Sequence, residues 1–95
     1  MRNYELVFIA NPELEEADLA AVVEKVKNLV ERNGGKITQA KSWGLRRLAY
    51  PIKDEREGQY VLVHLELEPQ EIAELERNLG LNEQILRHLV VRREE

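Results

Sequence analysis

The chain has 95 residues, 14 Lys and Arg against 18 Asp and Glu, a formal net charge of −4, 43% apolar residues and no cysteine. That length suits a single domain, residues 1–95, with one small core, and the missing cysteine excludes a disulfide framework or thiolate metal ligands. The longest apolar runs, LVFIA and YVLVHL, are too short to span a bilayer and no charged-then-apolar leader opens the chain, so it reads as a soluble, intracellular-type protein.

In chain order, NYELVFIA (residues 3–10) reads as an apolar strand. Asn11-Pro12 should stop it and open a helix, with Glu13, Glu15, Glu16 and Asp18 placed favourably against the helix dipole. Leu19, Val22, Val23, Val26, Leu29 and Val30 recur at helical spacing, and Asn33-Gly34-Gly35 supplies the stop. Lys36 to Ile52 is a long extended stretch whose imperfect alternation suggests a bulge or bend near Gly44. KDEREG (53–58) reads as a charged turn. From Gln59 to Leu67, Val61, Val63, Leu65 and Leu67 take the core side while Tyr60, Leu62, His64 and Glu66 take the other. Glu68-Pro69 should open a second helix with Ile72, Leu75 and Leu79 inward and Gly80 as its stop, before a last strand, ILRHLVV (85–91).

Two strand-helix-strand units in succession predict an α+β fold. The compact solution is a ferredoxin-like sandwich, with a four-stranded antiparallel sheet carrying both helices on one face. The other face is then bare, and it and the sheet edges are where function must lie.

The sequence offers little chemistry. His64 and His88 stand on separate strands, neither Ser42 nor Thr38 has a His near it in sequence, and no glycine-rich phosphate loop opens a helix. We therefore expect no enzyme activity, no metal, no cofactor and no small-molecule substrate. An RNA-recognition mode using an aromatic on the open sheet face is disfavoured by parity: Glu5 must avoid the core, which puts Val7 and Ile9 beside it and sends Tyr4, Leu6, Phe8 and Ala10 inside.

Charge is segregated instead. Six acids lie between Glu13 and Glu31 and six between Glu66 and Glu83, whereas Lys36, Lys41, Arg46, Arg47, Lys53 and Arg56 dominate the middle. Arg46 and Arg47 stand side by side in the apolar stretch SWGLRRLAYPIK, so a strand there gives each face one guanidinium. Three readings compete for them: protection of an edge strand against aggregation, phosphate contact through the planar fork, and docking of a protein partner.

GLRRLAYPIK (44–53), preceded by MRNYELVFIANPEL and followed by GQYVLVHLEL and LRHLVVRREE, closely resembles the bacterial small-subunit ribosomal protein six family along essentially the whole chain. The resemblance implies a ferredoxin-like, non-enzymatic, rRNA-binding component of the cytoplasmic ribosome. Such a protein pairs with small-subunit ribosomal protein eighteen as a heterodimer and binds the central domain of 16S rRNA during assembly of the 30S platform. We expect RNA or partner contacts on Arg2, Arg46, Arg47, Lys53, Arg56, Arg87 and Arg92, with Tyr50 packing nearby. Glu94-Glu95 resembles the C-terminal acceptor to which some members have glutamates added.

Overall fold

The computed structural model describes residues 1–93. Glu94 and Glu95, and with them the acceptor reading, lie outside the described residues. Strand β1 (Arg2–Ala10) is followed by α1 (Glu16–Arg32), β2 (Lys36–Ile52), β3 (Glu55–Leu67), a 3-10 turn (Pro69–Glu71), α2 (Ile72–Leu81) and β4 (Ile85–Arg92). The strands form one antiparallel sheet in the order β2-β3-β1-β4, so β2 and β4 are its edges. This is the ferredoxin-like arrangement the element order predicts.

The parity argument from Glu5 holds. Tyr4, Leu6, Phe8 and Ala10 are buried with Val61, Val63, Leu65 and Leu67 beneath Leu19, Val22, Val26, Leu29 and Val30 of α1 and Leu75 and Leu79 of α2. Val23 and Ile72 pack against this core only partly buried. Burial of these helix stripes, more than intrinsic propensity, holds helices of this length in place.

Element boundaries differ from expectation at three points. Asn11-Pro12 does not open α1. The Asn11 side-chain oxygen accepts from the Glu13 N–H at 2.9 Å and its carbonyl accepts from the Leu14 N–H, closing a local turn that delays the helix to Glu16. Gly80 does not stop α2, because it does not take the left-handed conformation of a helix cap, and the helix runs on to Leu81. The actual stop is Asn82, in extended backbone, whose side chain accepts from the Gln84 N–H at 2.8 Å. The charged turn shrinks to Lys53 and Asp54, with φ of 50° and 66°, and β3 begins at Glu55. Consecutive left-handed residues give the twist that a two-residue hairpin requires.

The sheet face opposite the helices carries no helix, as expected, but part of it is covered by a strand end. β1 pairs with β3 from Arg2↔Leu67 to Ala10↔Gln59, so the β2–β3 hairpin beyond Gln59 projects past the body of the sheet. Its register jumps from Arg47↔Glu57 to Ile52↔Glu55, spending five steps of β2 on two of β3. The surplus lets Leu48 form a second buried cluster with Ile9 and Leu86, flanked by Ile52 and Tyr60. Leu86 belongs to β4, three strand spacings from β2, or roughly 14 Å in a flat sheet. The distal arm of β2 therefore leans across the helix-free face.

A cationic hairpin arm and its anchorage

The arm owes its course to identifiable residues. Expected near Gly44, an irregularity occurs between Ser42 and Gly44, where Gly44 takes φ +81°, a conformation that side chains resist. Pro51 cannot donate to a ladder, consistent with the break in pairing before Ile52. Opposite Arg46 lies Gly58, which is buried, and a side chain there would collide with the Ile9 Cγ2 methyl. Glycine thus admits Ile9 beneath the arm. On β4, a register shift between Ile9 and Ala10 pairs Ile9 with Arg87 and Ala10 with Ile85. The extra residue, Leu86, turns onto the helix-free face while Ile85 stays in the main core.

On this arm Arg46, Arg47, Lys53 and Arg56 are all exposed, and among the described residues none pairs with a carboxylate. Register puts Arg46 opposite Gly58 and Arg47 opposite Glu57, one on each face of the ribbon as strand alternation requires. The Arg46 guanidinium carbon lies 6.0 Å from the centroid of Trp43, within cation–π range. Trp43, Leu45 and Tyr50 are 42%, 54% and 56% exposed, so the cations are interleaved with apolar surface. The Arg87 guanidinium donates a hydrogen bond to the Tyr50 hydroxyl, tying β4 to the arm. Beside that tie a groove of about 240 Å³ runs along Val7, Ile9, Arg87, His88 and Leu89.

The sequence matches the profile of the family described as Ribosomal protein S6 over residues 3–92. It is 45% identical over 95 residues to the small ribosomal subunit protein bS6 of Desulforamulus reducens, covering 100% of both chains. To the protein of the same name from Moorella thermoacetica it is 44% identical, covering 100% of this chain and 97% of that one. The crystal structure of 30S ribosomal protein S6 from Thermotoga maritima superposes with a TM-score of 0.90 at 34% identity, over 97% of this chain and 87% of that one.

The chain belongs to the ribosomal protein S6 family. It is accordingly a structural, non-enzymatic component of the small ribosomal subunit. The S6-family sheet places the residues that the sequence singled out in two groups. Arg46, Arg47, Tyr50, Lys53 and Arg56 share the arm, with Arg87 held against it. Arg2 and Arg92 are neighbours at the opposite end of β1, where Tyr4 pairs with Arg92. Eight strand steps separate the two ends of β1, roughly 26 Å. No single compact patch includes all eight residues.

Both histidines have carboxylate neighbours. His64 Nε2 lies 4.0 Å from Glu5 on the helix-free face, and His88 Nε2 lies 3.5 Å from Glu76 of α2. Among the described residues no three His, Cys, Asp or Glu side chains converge as metal ligands, and no helix is long and apolar enough to cross a membrane. On the acidic helical side, Arg77 donates to Glu74 at 2.9 and 3.2 Å and Asn78 donates at 3.0 Å. These bonds, Arg77's first, hold the Glu74 carboxyl below its usual range.

Sequence reasoning missed the roles of Leu48 and Leu86 as anchors and of Trp43 as the surface beneath Arg46. Two signals bear on them. Ile85-Leu86 breaks strand alternation ahead of Arg87, and Pro51 sits where a regular ladder needs a donor.

Proposed function

We propose that this S6-family chain binds the central domain of 16S rRNA together with small-subunit ribosomal protein eighteen, as a heterodimer, during assembly of the 30S platform. The observation that carries this reading is the clustering of Arg46, Arg47, Lys53 and Arg56, exposed and without carboxylate partners, on one projecting arm of an acidic chain. Binding a phosphate there breaks no internal ion pair, and guanidinium forks suit phosphate oxygens. The net charge of −4 opposes long-range attraction to RNA, which a basic partner bound alongside would offset. Exposed Leu89 and Val91 on the helix-free side of β4, 61% and 49% accessible, supply apolar surface for that partner. Arg2 and Arg92, at the far end of β1, form a separate contact point. Contacts of this kind position the protein and carry little sequence information themselves.

The test is binding to a 16S central-domain fragment, with and without protein eighteen, across a salt series. Tight, salt-sensitive binding should appear only with the partner. Replacing Arg46 and Arg47 together with glutamine should flatten the log–log salt slope by about 0.9 for each lost contact on duplex RNA, taking the duplex DNA value as a guide. An unchanged slope would leave both arginines as guards of an exposed strand, and absence of binding by folded protein with active partner would overturn the proposal.

A further inference from the structure

The geometry points to a division of labour within the arm that deepens the reading above and rests on it: Arg87, Tyr50 and Leu48 are positioning residues that fix the arm, and Arg87 is not itself a phosphate contact. Arg46 and Arg47 stand on an edge strand paired only to β3. Beyond Gln59 even that support narrows to a two-stranded ribbon, which is marginally stable on its own. Two attachments hold the ribbon down. Leu48 is buried against Ile9 of β1 and Leu86 of β4, and the Arg87 guanidinium donates to the Tyr50 hydroxyl. Both originate in the surplus β2 residues between Arg47 and Ile52, and both end on β1 or β4 rather than on the neighbouring strand.

The local arrangement explains why Arg87 should differ from its neighbours. Arg46, Arg47, Lys53 and Arg56 lack carboxylate or hydroxyl partners among the described residues, whereas Arg87 already spends a donor on Tyr50. The β4 register shift that sends Leu86 under Leu48 also pairs Arg87 with Ile9, placing it on the helix-free face beneath the arm. The β4 irregularity thus sets the sheet-side ends of both anchors. Fixing the ribbon in advance removes part of the ordering cost that a mobile arm would incur on binding RNA.

Two kinds of measurement test this. In the free protein, amide exchange is compared between the parent chain and Tyr50→Phe, which deletes only the acceptor. Exchange at the paired arm residues, 45 to 47 and 52 on β2 and 55 to 58 on β3, should accelerate severalfold while β1 is unchanged, and unaltered exchange overturns the tie. With protein eighteen present, Tyr50→Phe and Arg87→Met should each weaken binding to the 16S central-domain fragment by about three- to tenfold. Each should leave the salt slope at its parental value, and the double variant should be no worse than either single one. A slope flattened by about 0.9 in Arg87→Met would put Arg87 on a phosphate and overturn the assignment. Additive losses would overturn it as well. If the parent complex fails to bind RNA at all, the proposed function fails, yet the exchange comparison still decides the tie.

Discussion

The molecule contains two hydrophobic clusters of very different kinds. Between the sheet and its helices, sixteen buried residues among those described form the main core, with Leu6, Phe8, Val63 and Leu75 at 0% exposure. On the opposite face, among the described residues, only Ile9, Leu48 and Leu86 form a buried cluster, each 8–9% exposed. The first joins every secondary-structure layer and makes the fold. The second joins one strand end to the sheet and sets where that strand end lies. Small size does not make it incidental, because the arm it holds down carries Arg46, Arg47, Lys53 and Arg56, all exposed.

Substitutions can separate the two. Phe8→Ala should have the largest effect, about 3–5 kcal/mol, since it removes a fully buried ring from a core enclosed on both sides. Urea unfolding followed by far-ultraviolet dichroism should show it as a lower midpoint. Leu48→Ala should cost less, about 2 kcal/mol, because the three-residue cluster lies near solvent and can partly collapse. Its signature should be local, with fast amide exchange in the arm and native-like protection in β1. Loss of protection throughout the sheet would mean that the two clusters are one cooperative unit. The smallest effect lies on the far side of the molecule. Arg77→Ala should raise the titration midpoint of Glu74 toward the ordinary carboxylate value, as followed by NMR. The sign follows from the depressed folded-state value. The pairing contributes above the ordinary carboxylate range and is lost as pH falls through the folded-state midpoint. Neither cluster should respond.

The same contrast marks how much was legible in the sequence. The main core could be read because each of its elements carries its own period. Glu5 alone fixes the parity of β1, and Val61 to Leu67 alternates without interruption. Helix ends were harder. The Asn11 turn and the stop of α2 at Asn82 rather than Gly80 depend on local side-chain hydrogen bonds, which apolar spacing does not encode. The candidate site was legible as a basic, aromatic stretch from Trp43 to Arg56, but its anchorage was not. Leu48 and Leu86 are thirty-eight positions apart, and nothing in either segment by itself says that they meet. Arg2 and Arg92 could be placed together from topology, whereas their separation from the arm along β1 required the register.

The position of β1 inside the sheet bears on how the chain is made. β3 flanks it on one side and β4 on the other, and Tyr4 pairs with Arg92, eighty-eight residues later. At about 5–20 residues per second, a ribosome needs roughly 4 to 18 seconds to traverse that interval. A nascent chain without β4 can pair β2, β3 and β1, leaving β1 as a temporary edge with unpaired backbone groups beside Val7 and Ile9. Such an edge invites pairing with other chains. β4, synthesised after the other three strands of this sheet, is therefore the one that closes that exposed edge.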